Sequence, residues 1–469
     1  MKYETSLSYE ELKLPNYRNT REITRVGNIS ITVTDAVIAA VLGGLNILLV
    51  GDTGTGKTQL ASDIYNHYFG GNKNGIWFKA RPDTEIADVF VRLDKEAARK
   101  KLDKENVEKL CFVVDEINRA PGPVQDQFLG LGDSNLETPD GKQIQLGKNN
   151  YSILIATANI SNGEFTGTFE MDKALLNRLH ITFDLDFYKR TPEDDFAVNK
   201  EGKANPNVRI ANARDLSEKI LEAYDQISKI AEEPGIEAEV ALNCIGLGLD
   251  YCRIQGAKTR TWPLSCPECQ YSGRLCEKVR GATPRTRRAI LKYAAALQYL
   301  AGLKAEHEGK EPADIDPFDL IFEAFKIASA YHGILNPSIL RADYHEENAR
   351  MMVDVVKELK EEFSKVRNYV ELSIGMAEEF GEVTTQFFMD ENGLRMPLNK
   401  RFLEEVVKRK TGLKGQKLQK EVDQVYEKII RRGNIIEPFR NQDDKHSISL
   451  TWFPLLLELY VKNSNHDKK

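Results

Sequence analysis

Gly51-Asp52-Thr53-Gly54-Thr55-Gly56-Lys57-Thr58 is the stretch on which the reading of this 469-residue chain turns. The apolar run Ile47-Leu48-Leu49-Val50 leads into it as a buried strand, and Gln59-Leu60-Ala61-Ser62-Asp63-Ile64-Tyr65 follows as the first turns of a helix. Strand, glycine loop and helix are the setting in which this spacing cradles phosphate. Gly51, Gly54 and Gly56 let the backbone curl until several N–H groups point at phosphate oxygens. The helix N-terminus adds partial positive charge. Lys57 can reach the β- and γ-phosphates and the Thr58 hydroxyl can ligate Mg²⁺, so residues 51–58 as a whole, Asp52, Thr53 and Thr55 included, read as a nucleotide-binding loop.

Two more apolar strands supply what cleavage of a γ-phosphate requires. Leu110-Cys111-Phe112-Val113-Val114 ends in Asp115-Glu116, and in a parallel sheet the carboxyl end of such a strand lies beside the phosphate loop. Asp115 is the expected Mg²⁺ ligand, directly or through water; Glu116 is the expected base for the attacking water. Ile153-Leu154-Ile155-Ala156-Thr157 then runs into Ala158-Asn159. Asn159 is either an amide that contacts the γ-phosphate or the water, or a turn asparagine. A short helix, Met171–Arg178, and a strand, His180–Leu185, come next. Arg178 either faces a neighbouring subunit's nucleotide, where it would spread transition-state charge, or makes a surface salt bridge.

The segments VDEINRAPGPVQDQFLGLGD (Val114–Asp133), ATANIS (Ala156–Ser161) and DKALLNRL (Asp172–Leu179) resemble the AAA+ ATPases, and within them the MoxR group and its dynein-related relatives. The phosphate loop looks closer to the dynein-related branch. Gly281-Ala282-Thr283-Pro284-Arg285-Thr286-Arg287-Arg288 is similar to the sensor motif of the family's small domain. The resemblance covers about residues 20 to 305. It implies sensor 1 at Asn159, the arginine finger at Arg178 and sensor 2 at Arg285. It also implies ATP and Mg²⁺ as cofactors, a ring (usually a hexamer) with ATP between subunits, and a remodelling or chaperone role, often with a von Willebrand A-domain partner. In this family group a hairpin precedes the sensor-1 strand, and Thr138-Pro139-Asp140-Gly141-Lys142 reads as its turn.

The expected fold is α/β: a P-loop AAA+ core with a parallel sheet flanked by helices over residues 1–210, an α-helical lid over 211–335, and a mainly helical C-terminal domain over 336–469. Hydrophobic content of 41% and charged content of 29% suit a soluble globular chain. A net charge of −6 gives no global attraction for nucleic acid, though a local basic face stays open. The N-terminus lacks an apolar signal core, and Ala36–Val50 falls short of the roughly 20 residues of a membrane helix. A cytoplasmic location without membrane insertion is expected, and the six cysteines read as thiols or metal ligands rather than disulfides.

Four of those cysteines, Cys252, Cys266, Cys269 and Cys276, lie in a cysteine-rich loop, 252–276, inside the lid. They are either ligands of a closed, structural Zn²⁺ site or reduced thiols. Cys252 is placed at the end of a helix running Ala238–Arg253, and the charged stretch Leu93–Leu110 reads as a solvated helix face. Past Pro397, helices at Arg401–Arg409 and Lys417–Arg431 and strands at Asn434–Phe439 and Ser447–Thr451 fit a winged helix with a basic face, or else a protein-contact extension. The leading function is an ATP-driven, MoxR-like protein-remodelling machine. The alternatives are a nucleic-acid motor or restriction-type NTPase, and a nucleotide-controlled scaffold.

Overall fold

The computed structural model describes residues 6–89, 106–137, 143–159, 169, 171, 173–202, 207–252, 256–257, 262, 266–269, 272–311, 315–380, 408 and 412–433. The chain divides into two compact units. The first comprises Met1–Glu233, Pro284–Gly333 and Tyr344–Met352, and the second Pro234–Thr283, Ile334–Asp343 and Val353–Lys469.

In the first unit a small antiparallel pair, β1 (Glu22–Val26) and β2 (Ile29–Thr32), precedes the helix Val33–Leu42. Thr32 caps that helix by accepting from the Asp35 N–H while Asp35 accepts in return from the Thr32 N–H, a reciprocal capping box. Then follow β3 (Ile47–Val50), β4 (Gly75–Lys79), β5 (Asn106–Val107), β6 (Cys111–Asp115), β7 (Asn135–Glu137), β8 (Gln143–Leu146), β9 (Ile153–Ala158) and β10 (Ile181–Asp184). Five of them form a parallel sheet in the order β10-β3-β9-β6-β4. Every residue of β3, β6 and β9 is buried. This is why these strands read as unbroken apolar runs: helices cover both faces, so neither face needs alternating polar residues. Leu48, Val50, Phe112, Val114, Leu154 and Ala156 form one side of the core, packed with Phe128 and Leu131 of the helix Gly122–Gly132.

Register fixes where the chemistry falls. Val50 pairs with Ala158 and Val114 with Ala156, so β3, β9 and β6 end side by side. β7 and β8 pair antiparallel through Leu136 and Ile144, as a hairpin there requires; its turn, 138–142, lies outside the described residues.

The charged stretch read as a helix over Leu93–Leu110 differs at its end. Asn106–Val107 is strand β5, which adds parallel to β8, and residues 93–105 lie outside the described residues. A two-residue strand carries no period, and its partner lies about forty positions away.

The second unit contains the helices Gly235–Asn243 and Leu275–Lys278, the pair β11 (Tyr251–Cys252) and β12 (Gly256–Ala257), and the helix Pro337–Tyr344. The helix expected through Arg253 stops early. It passes at Cys244–Gly248 into a wider turn that holds Gly246 and Gly248, both poor helix formers, and Cys252 sits on a strand. Further along, Gly415–Gly433 is helical, as expected for Lys417–Arg431. The expected helix at 401–409, apart from Lys408, and the strands at 434–439 and 447–451 lie outside the described residues. No helix among the described residues is long and apolar enough to cross a membrane.

Candidate nucleotide-hydrolysis site

The loop after β3 takes the form its glycines permit. Gly54 and Gly56 have φ of +86° and +96°, a region costly for any residue with a Cβ. The side of Gly56 is also closed: a Cβ there would meet Arg190 Nη2 at 3.0 Å and Tyr17 Cε2 at 3.1 Å. The Lys57 ammonium is buried and donates to the Gly51 and Asp52 carbonyls at 2.8 and 2.7 Å. Burial lowers its pKa, while the carboxylates of Asp186, Asp52, Asp115 and Glu116 pull the other way. Lys57 therefore sits among the groups that the phosphate-transfer reading needs around it.

Thr58 donates through Oγ1 to Asp115 Oδ1 at 3.1 Å. Asp115 Oδ1 also accepts from the Thr157 hydroxyl at 2.7 Å, and the same hydroxyl oxygen accepts from the Glu116 N–H at 2.9 Å. A neutral hydroxyl and a carboxylate oxygen side by side are hard donors of the kind Mg²⁺ takes, so Thr58 and Asp115 fit the metal expected there. Glu116 follows directly with φ of +58°, an uncommon backbone state for a non-glycine residue. Its carboxylate faces the Arg119 guanidinium at 3.6 Å. Asn118 donates its amide N–H to the Asn159 carbonyl at 2.8 Å and so fixes the chain at the end of β9. The phosphate loop, Asp115, Glu116 and Asn159 thus lie together at the carboxyl edge of the sheet.

Arg178 and Arg285 do not join them. Asn46, immediately before β3, marks the opposite edge. Its buried side chain donates to the Gly132 carbonyl at 2.7 Å and the Arg178 carbonyl at 2.9 Å, and accepts from the Leu154 N–H at 2.8 Å. Five residues at about 3.3 Å each separate Asn46 from Gly51, roughly 16 Å. At this amino edge Arg178 Nε is 2.6 Å from Asp133 Oδ2, and Arg285 Nη1 is 3.8 Å from Asp133 Oδ1. Two histidines, His180 partly buried and His332 buried, complete the group. His180 accepts from the Asn46 N–H at 3.1 Å, and His332 lies 3.2 Å from both the Thr286 hydroxyl and the Leu179 carbonyl. Burial, with the neighbouring charge of His332 and Arg285, pushes His180 down to about 4, and burial pushes His332 down to about 4.

Several residues around the site escape sequence reasoning. Asp186 accepts from the Asp52 N–H at 2.7 Å, and Arg190 donates to the Thr55 carbonyl at 2.9 Å. Asp63 accepts from the N–H groups of Asn16 and Tyr17, which draws the N-terminal segment over the first helix. Thr157 does carry a signal in the sequence: a polar residue beside two alanines at the end of an all-buried strand needs a partner.

Of the cysteines, Cys266–Glu268 form a tight turn in which the Cys269 N–H donates to the Cys266 carbonyl at 3.1 Å. Cys276 is buried, and its carbonyl accepts from Trp262 Nε1 at 3.2 Å. The Cys252 side chain lies outside the described set, and among the described residues no group of three or more metal-binding side chains converges.

Residues 46–179 match the AAA domain of the dynein-related subfamily. Among solved structures, the chain is similar to a candidate ATPase from Cytophaga hutchinsonii, with 16% identity over 69% of this chain and 87% of that one and a TM-score of 0.45. It is also similar to a full-length MCM homologue from Methanopyrus kandleri, with 14% identity over 65% of this chain and 56% of that one and a TM-score of 0.35. No curated protein matches. The match spans the phosphate loop, the Asp115-Glu116 pair and the β9 end whose mutual geometry is described above, and residues 46–179 are accordingly an AAA domain of the dynein-related type.

Proposed function

We propose that the chain works as a MoxR-like protein-remodelling machine: a ring, a hexamer in the simplest form, in which each ATP lies between two protomers. The observation that carries this reading is the division of the site between two sheet edges. Lys57, Asp115, Glu116 and Asn159 lie at one, and Arg178 with Arg285 at the other. An arginine at the amino edge of the sheet, with β3 spanning roughly 16 Å between that edge and the phosphate loop, serves hydrolysis only if a second copy brings its nucleotide to it.

In this reading the loop Gly51–Thr58 binds the triphosphate through its N–H groups and Lys57. Thr58 and Asp115 hold Mg²⁺, which supplies charge neutralisation on the phosphates when bound. Glu116 takes a proton from the attacking water, Asn159 orients that water, and Arg178 and Arg285 of the adjoining protomer face the charge that develops on the transferred phosphoryl group. Residues 211–335 act as the lid, and 336–469 as a C-terminal module. The work goes to a protein client, for which a von Willebrand A-domain protein is the first candidate on the MoxR resemblance. The turn Cys266-Pro267-Glu268-Cys269, with Cys252 and Cys276, would supply the four thiolates of a structural Zn²⁺ site, with reduced cysteines as the alternative. A cytoplasmic location completes the proposal.

Mixing two inactive variants tests the shared site. Lys57→Ala protomers lack the phosphate-binding ammonium and Arg178→Ala protomers lack the incoming arginine. Co-assembled, they regenerate sites in which an intact loop faces an intact arginine, and phosphate release returns. Failure to recover any activity in assembled mixtures contradicts the trans arrangement. Stimulation of turnover by DNA or RNA, with steep salt dependence, and none by protein clients would favour the nucleic-acid motor instead.

A further inference from the structure

We propose that Asp133 is a positioning residue for hydrolysis: its carboxylate clamps Arg178 and Arg285 into one two-guanidinium unit presented to the nucleotide of the adjoining protomer. The proposal rests on the trans reading above and adds the residue that makes the two arginines act together.

Asp133 stands just past the last turn of the helix Gly122–Gly132, where its N–H caps the Leu129 and Leu131 carbonyls. An anion at a helix C-terminus opposes the helix dipole, so the helix gains nothing from a carboxylate there. Its favourable partners are elsewhere. Oδ2 takes Arg178 Nε at 2.6 Å, and Oδ1 faces Arg285 Nη1 at 3.8 Å. One carboxylate thus uses each of its oxygens for a different arginine.

The backbones that carry the three side chains are locked to one another. Asn46 ties the Gly132 and Arg178 carbonyls together. A Cβ at Gly132 would lie 3.2 Å from Arg178 Cβ, so the helix end and the Arg178 segment approach at the limit that glycine allows. Arg178 Nη1 also donates to the Ala174 carbonyl at 3.1 Å. His332 spans from Leu179, next to Arg178, to Thr286, next to Arg285. The two arginines come from positions more than a hundred residues apart in sequence.

Two guanidinium groups brought this close repel each other, and each side chain has many rotamers to lose. A shared carboxylate offsets the repulsion and selects one rotamer of each. All three groups stay accessible, with side chains 22%, 49% and 39% exposed for Arg178, Arg285 and Asp133. The unit therefore faces outward, where an incoming polyphosphate can take the free guanidinium N–H groups.

Steady-state phosphate release tests this with Asp133→Ala, Asp133→Asn, Asp133→Glu, Arg178→Ala, Arg285→Ala and the double variant Asp133→Ala/Arg178→Ala. Assembly is followed in parallel by light scattering. Loss of an interaction made only in the transition state lowers kcat and leaves KM in place. Arg178→Ala is expected to lower kcat by roughly a thousandfold. Asp133→Ala and Asp133→Asn are expected to lower it by about tenfold or more, with KM for MgATP within about threefold. Asp133→Glu restores most of the rate, and the double variant is slower than Arg178→Ala by less than the factor that Asp133→Ala costs alone. Asp133→Asn keeps the side-chain volume, so it carries the comparison if Asp133→Ala fails to assemble.

Wild-type turnover in assembled Asp133→Asn, alongside a slow Arg178→Ala, overturns the clamp and leaves the trans reading standing. So do losses that multiply in the double variant. Wild-type turnover in Arg178→Ala and Arg285→Ala overturns the trans reading itself, and the clamp with it.

Discussion

Replacing Thr157 by valine removes one oxygen and its proton from the centre of the site while keeping the shape of the side chain. Thr157 is 1% exposed, so water cannot take the place of the lost hydroxyl. Two hydrogen bonds go: the one donated to Asp115 Oδ1 at 2.7 Å and the one accepted from the Glu116 N–H at 2.9 Å. The first is a bond to a charged group, worth about 1.5–3 kcal/mol; the second leaves a peptide N–H without its acceptor, at about 1–3 kcal/mol. Together they come to roughly 4 kcal/mol, divided between stability and catalysis. Catalysis takes a share because both acidic groups depend on this hydroxyl. Asp115 loses one of the two hydroxyl donors on its Oδ1, and Glu116, held at φ +58°, loses the bond that helps keep its backbone in that strained state. If half the total falls on the transition state, kcat drops about thirtyfold.

Thr157→Ser is the complement: it keeps both hydrogen bonds and deletes one buried methyl, about 0.8 kcal/mol of packing. The assay is steady-state phosphate release against MgATP, with urea unfolding of each variant to subtract the stability share. Valine should be slow and serine within about threefold of the parent. Wild-type turnover in Thr157→Val, or a serine variant as slow as the valine one, refutes the reasoning.

Three further outcomes follow. His180 and His332, both held near 4 by burial, bind protons more readily when unfolded, where the ordinary value is about 6.5. Their contribution to stability is therefore complete above pH 6.5 and is lost as pH falls from 6.5 towards 4, at no more than about 2.7 kcal/mol per pH unit for the pair. Urea midpoints at pH 7.5, 6 and 5 should decline along that course, and less steeply in His332→Gln; parallel slopes in the two proteins would contradict the assignment. Asn46→Ala strips partners from two carbonyls and one N–H and should destabilise the chain by about 3 kcal/mol in urea unfolding, against a change below about 0.5 kcal/mol if Asn46 is not the tie between Gly132 and Arg178. If the cysteine-rich loop holds zinc, the purified chain carries one Zn²⁺ per protomer by elemental analysis, and Cys269→Ser releases it; metal-free protein with four freely titrating thiols would leave the loop as reduced cysteines.

The parts of the site that could be read from sequence are those built from neighbours along the chain. The phosphate loop is eight consecutive residues, and Asp115-Glu116 follows its strand directly. Each is marked by an apolar run long enough to show that the strand is buried on both sides. Contacts across long separations leave no such mark. Nothing in the local sequence of Asn46 shows that it joins Gly132, Leu154 and Arg178, and nothing around Asp133 shows that it meets an arginine 152 positions later. Resemblance to a motif points to Arg285, but the edge of the sheet on which it lies depends on tertiary packing. Local reading also failed where an element was short: Asn106–Val107 and Tyr251–Cys252 are strands of two residues, fixed by their partners rather than by their own pattern.

MgATP binding and phosphate release in Glu116→Gln, measured beside the parent chain, test the proposal that Glu116 deprotonates the water attacking a nucleotide held by the loop Gly51–Thr58. Glutamine keeps the volume and the backbone state but cannot accept the proton of water. Nucleotide affinity is expected to stay unchanged and turnover to fall by about a hundredfold or more. Turnover equal to the parent's would contradict the proposal.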